Sequence, residues 1–271
     1  MKRMILLILI AFGGYILSLK HMATQQEIRW KKEKKAMILS SPVFFQCISG
    51  EFKGIISDFM LMEGAIYLGS KKGPTEFSSL EWTYLYYIFE TARTLDPYFR
   101  DPYWLVQSFF TWWAKKPEDA IDFLKKGLPY RTWDWRLPYY IGFDYFYFLK
   151  DNISASEYLL KGAKIPGSPF ILATLGARLA SKAGQTEAAI AFLKDMYEKT
   201  EGKLAKNMIK MRLEALRGVL ILEEAIKKYE IIFGHSPIKL TELVEKGIIK
   251  EIPPNPYGTP YYLKEGKVRF D

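Results

Sequence analysis

Two histidines, one cysteine and 30 acidic residues are what this chain offers for chemistry. His21 abuts an apolar run, and His235 lies between Gly234 and Ser236-Pro237, where a turn explains it better than general-base work does. Cys47 is alone, which excludes an intrachain disulfide and a cysteine metal site. Asp58 and Glu63 share one helical stretch and suggest acid–base work, but no nucleophile or histidine lies near them in sequence, so they read as solvent-facing charges. Asp144, between Phe143 and Tyr145, is the acid expected to be buried, with a tyrosine hydroxyl or Arg178 as its partner. Asn152-Ile153-Ser154 matches a glycosylation acceptor only by form. Phosphate-binding glycine loops, His-Glu-x-x-His and the nucleophile elbow are all missing from the sequence. The expectation is a protein that is not an enzyme and holds no cofactor or metal.

What the chain has instead is a beat. Leu85, Ala120, Ala155 and Ala189 restart one local pattern at steps of 35, 35 and 34 residues. Four positions on stand Phe89, Leu124, Leu159 and Leu193; seven positions on stand Ala92, Gly127, Gly162 and Met196. Offsets of four and seven keep to one face of a helix, so each restart predicts a helix with the same buried stripe. Recurrence near 34 residues is the period of stacked helical hairpins.

These residues resemble the tetratricopeptide repeat (TPR) family over residues 51–200. Phe89, Ala92 and the Leu95-Asp96-Pro97 ending carry the second-helix signature, Ile141-Gly142 and Tyr145 the first-helix one, and Gly184 the turn between helices. Departures are Leu85 for a small residue, Gly127 and Gly162 for Ala, the larger Met196, and a longer loop around Lys71–Ser78. The resemblance implies that the first helix of each unit lines a concave groove. By that rule Leu105, Phe109, Trp112 and Trp113 face inward, then Tyr140, Asp144, Tyr147 and Phe148, then Thr174, Arg178, Ser181 and Lys182. Such a groove is aromatic early and basic later, and suits a protein or peptide partner. Packing between repeats and cover by the chain's own N-terminal helix are alternative uses for the same aromatics.

Charge narrows the partner class. Residues 1–40 hold eight Lys/Arg against two Glu, so +6 of the +9 net charge is concentrated there. A nearly neutral body excludes a nucleic-acid footprint. Met4–Leu19 is an apolar run of sixteen residues; as a helix it covers roughly 24 Å of a ~30 Å hydrocarbon core, a gap that flanking Lys and Arg can bridge by snorkelling. His21-Met22-Ala23 is a poor cleavage site, so the run is expected to be an uncleaved single-pass anchor in the inner membrane rather than a signal peptide. A basic stalk through Lys35 follows, available to lipid headgroups. The Lys/Arg count after the span favours a cytoplasmic body. The export-like N-terminus and the C-terminal module favour a periplasmic one, and the balance is set on the periplasmic side.

The stretch Phe52–Leu68 is apolar all round and is expected to be a helix buried on two sides. Helices are expected at Ser79–Leu95, at Lys203–Phe233 with Gly234 as left-handed cap, and from Ser236-Pro237 to Lys246. Tyr261-Tyr262-Leu263 and Val268-Arg269-Phe270 read as strands across Glu265-Gly266. The run Leu222–Tyr229, Gly234-His235-Ser236-Pro237, Leu240–Gly247 and Asn255-Pro256-Tyr257-Gly258 is similar to the C-terminal half of type II secretion major pseudopilins. Asn255 stands where that family has Asp, and the assembly helix is missing, so the likeness implies a small α+β cap. The expected organisation is therefore anchor and stalk over 1–40, a mainly α TPR-like solenoid over 41–203, and a long helix with its cap over 204–271. Its expected role is a membrane scaffold docking other proteins, in an envelope or secretion assembly, or a permanent structural subunit of one.

Overall fold

The computed structural model describes residues 12–22, 24–25, 28 and 42–270. Residues 12–22 are helical. The rest of the expected anchor, residues 4–11, and the basic run 29–35 lie outside the described residues. Among the described residues no helix is long and apolar enough to cross a membrane.

The fold is mainly α, with one two-stranded sheet near the C-terminus. It divides into two compact units at Val106/Gln107. The first holds α1 (Pro42–Ser49), α2 (Lys53–Gly69), α3 (Ser79–Leu95) and the first half of α4 (Asp101–Trp112). A capping box fixes the start of α3: the Ser78 amide donates to Glu81 Oε2 at 2.7 Å, and the Glu81 amide donates to Ser78 Oγ at 3.4 Å. Its rows face α2 in antiparallel order, the Ser57 hydroxyl donating to the Ala92 carbonyl (2.9 Å) and the Tyr84 hydroxyl to Glu63. Gly64 makes the close approach possible, since a Cβ there would stand 2.6 Å from Phe89 Cε1.

The expectation that α2 is buried on two sides is corrected. Only Ser57, Gly64 and Leu68 are buried, against α3, and Ile55, Phe59, Met62 and Ile66 stand in solvent. An apolar helix carries no mark of whether its own chain covers its second face.

The second unit runs from Gln107 through α5 (Pro117–Gly127), α6 (Arg136–Tyr147), α7 (Asn152–Ala163), α8 (Ile171–Lys182), α9 (Thr186–Lys199) and the long α10 (Lys203–Phe233). From α5 onward each helix packs on the next in sequence, and α10 also packs on α8. Gly234, at φ 74°, closes α10 in the left-handed region where glycine carries no Cβ penalty. The short helix α11 covers only Thr241–Glu245, less than expected. The Ile238 and Lys239 amides donate to the Glu242 carboxylate (3.1 and 3.0 Å), so a side chain holds that turn and the helix starts later.

Strands β1 (Tyr262–Lys264) and β2 (Lys267–Arg269) pair antiparallel with Leu263 opposite Val268. Glu265 and Gly266 both have positive φ, as a two-residue primed turn requires. The hairpin roofs α10: Tyr261 Oη donates to the Ala215 carbonyl at 2.9 Å, and its ring occupies the space a Cβ on Gly218 would need. Burial pushes the Tyr261 hydroxyl up to about 12.

Candidate binding surface

The repeat positions occupy like places. Ala120, Ala155 and Ala189 are each the fourth residue of their helix, and each is fully buried with the residue four on, Leu124, Leu159 and Leu193. The amide of each donates to the carbonyl four residues back, Lys116, Asp151 and Gln185 respectively. Five residues before each Ala the chain turns left-handed, at Lys115 (φ 57°), Lys150 (φ 57°) and Gly184 (φ 87°). The same turn thus recurs at 35 and 34 residues, with lysine accepting at two positions a backbone geometry natural to glycine. Leu85 is the seventh residue of α3, so the first restart shares the burial and not the turn.

Small residues set the spacing between hairpin arms. On Gly142 of α6 a Cβ would stand 2.8 Å from Leu159 Cγ and 3.0 Å from the Ala155 carbonyl oxygen. Gly162 and Gly176 make similar approaches to Leu172 and Leu160. Helices α6, α7 and α8 are drawn close along this line, which leaves the large aromatics on the remaining face of α6.

Those aromatics form a connected surface within the second unit. Trp112 is 41 % exposed and Tyr147 45 %. The Trp112 ring lies 5.3 Å from that of Tyr147 and 4.9 Å edge-on from Phe148. Tyr147 stacks on Phe143 at 5.4 Å, with Lys150 Nζ 5.1 Å from its ring centroid. Tyr139 continues the line, its ring 6.3 Å from Phe143 and 5.6 Å from Tyr140. Phe109 and Trp113, both half-buried, pair edge-to-face at 4.9 Å. Aromatic contacts of this kind contribute about 0.5–1.5 kcal/mol each, so the surface is held rigid before anything lands on it.

The other expected site residues lie differently. Leu105 is buried in the first unit, and Asp144 is fully buried in the second; neither presents its side chain to solvent. Asp144 Oδ1 accepts from Gln107 Nε2 at 3.2 Å, while its Oδ2 has no hydrogen-bond partner. Burial pushes this carboxyl up to about 7, and the Gln107 bond opposes that only in part. The expected tyrosine or Arg178 partner is replaced by Gln107, 37 residues away, which no local pattern announces. Arg178 and Lys182 are half-buried at the other end of the unit. There the Lys182 carbonyl accepts from Lys267 Nζ and Arg269 Nη1, each at 3.5 Å. Burial lowers the Arg212 guanidinium, with the Arg178 charge acting in the same direction; it lies 4.8 Å from the Tyr257 ring and 5.2 Å from Phe270. The hairpin is therefore tied to the backbone at the end of α8.

Two features had no signal in the sequence. A cleft of about 830 Å³ opens along the α7–α8 loop, lined among others by Lys164, Phe170, Met196 and Lys199; Lys199 is paired with Asp195 at 2.6 Å. The other is the uncovered face of α2. Asp58 and Glu63 are exposed on that helix, and His235 is exposed with its Nδ1 3.0 Å from the Ser236 carbonyl. Among the described residues no three His, Cys, Asp or Glu side chains gather as a metal site would need. No protein-family model and no curated protein matches this chain.

Proposed function

We propose that this chain is a scaffold of TPR-like helical hairpins, tethered to a membrane through residues 4–19, that docks a protein or peptide partner on the aromatic surface of α4 and α6. The observation that carries this reading is the rigid, partly exposed cluster around Trp112 and Tyr147, standing beside three equivalent hairpin turns. Aromatic side chains with one face packed and one face open are the anchors that protein interfaces favour. Leu105 serves the packing of the first unit and Asp144 that of the second, and Phe109, Trp113 and Tyr140 belong to the aromatic set of the second. Arg178 and Lys182 belong to the other end of the unit, where they steady the C-terminal hairpin more than they greet a ligand.

The C-terminal module fits the pseudopilin-like reading in its turn. The Asn255 side chain takes the place of Asp there, accepting from the Tyr257 amide at 3.1 Å, with Gly258 left-handed at φ 79°. Its role is to cap the last helix, since the end of a helical array needs a cover. A periplasmic body in an envelope or secretion assembly is the setting this combination suits.

Photoreactive residues at Phe109 and at Tyr147, activated in native membranes, test the proposal. Both positions are expected to capture the same protein, and Trp112→Ala is expected to abolish capture while leaving the circular dichroism unchanged. Capture of lipid alone, or of this chain alone, overturns it.

A further inference from the structure

A second surface, independent of the aromatic one, lies on α2. Ile55, Phe59, Met62 and Ile66 follow one another at steps of 4, 3 and 4 and are between 54 and 68 % exposed. At about 100° per residue they fall within a sector of about 60°. The buried residues Ser57, Gly64 and Leu68 fall on the opposite side, against α3. Both edges of the stripe are acidic. Asp58 borders one side and Glu63 the other, both exposed. Glu63 is fixed in place by the Tyr84 hydroxyl, which donates to it. Lys53, the cation of this helix, falls about 150° from the centre of the stripe.

We propose that the α2 stripe receives an α-helix from another protein, one whose apolar face is edged by Lys or Arg. Alternating steps of three and four make a seam that meshes with a second helix. Acidic residues on both edges then select the charge of the incoming flanks. A second copy of α2 would set Asp58 and Glu63 against carboxylates of their own kind, which is unfavourable. An anionic bilayer would meet the same repulsion, and interfacial helices carry cations where α2 carries acids.

The test uses the full chain in nanodiscs of phosphatidylcholine and two synthetic 18-residue helical peptides. Both peptides carry one Leu stripe at 3–4 spacing; one is flanked by Lys and the other by Glu. Fluorescence anisotropy is expected to show the Lys peptide binding at least tenfold more tightly. Asp58→Lys with Glu63→Lys is expected to reverse that preference. Phe59→Ser is expected to weaken the Lys peptide at least tenfold with unchanged circular dichroism, since the side chain is already in water. Equal binding of the two peptides, or binding of neither, overturns the proposal. So does self-association of the chain that Phe59→Ser abolishes. A dye on Phe59→Cys, in a Cys47→Ser background, that brominated lipid quenches would assign the stripe to the bilayer and overturn it as well.

Discussion

In α2–α3 and in α6–α7 alike, a glycine of the first helix lies where a Cβ would press on the second. Gly64 meets Phe89, and Gly142 meets Leu159 and the Ala155 carbonyl. The surroundings differ. Helix α6 has α5 packed on it as well as α7, whereas the outer face of α2 is in water. Their carboxylates differ in parallel. Burial alone would push Glu81 up, but hydrogen bonds from Tyr67 and Ser78 and the Lys71 ammonium, 3.0 Å away, hold it down at about 2. Asp144, with Gln107 as its hydrogen-bond donor, is pushed up to about 7. One hairpin is thus built around an ionised rim and the other around a carboxyl that burial makes easier to protonate. Shared spacing fixes how two arms approach; the environment of each arm decides what the charges do.

The pH response separates the two most sharply. A carboxyl whose folded value lies above its unfolded one favours the folded state at low pH, and that advantage disappears as pH rises through the folded value. Asp144 is therefore expected to contribute about 3 kcal/mol more to the stability of the second unit at pH 5 than at pH 8. Glu81 has the opposite sign, but its contribution is lost only as pH falls below about 4.5, the ordinary glutamate value, toward about 2. Asp144→Asn is expected to flatten the pH 5–8 difference, read by urea unfolding at both pH values. An unchanged slope would remove the contrast between the hairpins.

Next in size come the glycines. Gly142→Ala is expected to destabilise α6–α7 by about 2 kcal/mol, because the obstacle includes backbone and the helix is packed on more than one side. Gly64→Ala is expected to cost about half as much, because α2 can move outward into solvent. Hydrogen exchange of the amides in each hairpin measures both. Equal losses would mean that the uncovered face gives α2 no freedom.

The smallest effect is in the turns. The α2–α3 connection has no left-handed residue, whereas α6–α7 turns through Lys150 at φ 57°. Lys150→Gly is expected to stabilise the second unit by about 1 kcal/mol, and Gly184→Ala to destabilise it by a similar amount. Thermal unfolding of both variants checks the pair.

Much of the helical order was legible because its signals are local. The bounds Ser79 and Leu95, and the cap at Gly234, fall on the residues that the sequence pattern gives them. The buried stripe of Ala155 and Leu159 is written in offsets of four and seven. What could not be read depends on distant partners. Gln107 meets Asp144 across 37 residues, and Lys115 and Lys150 hide a turn that only Gly184 spells out. The broad apolar character of α2 was legible too, but hydrophobicity records a wish for cover and not whether the chain itself supplies it.

The hydroxyl of Tyr261 on the Ala215 carbonyl has a consequence for biogenesis. Val268 and Phe270 complete the same roof over a helix made some fifty residues earlier, roughly half a domain of chain. Until those residues have been made, Ala215 and Gly218 have no such lid. For that stretch of synthesis the nascent chain carries an open, greasy flank on α10, closed only when Tyr261 and the hairpin beyond it fold back.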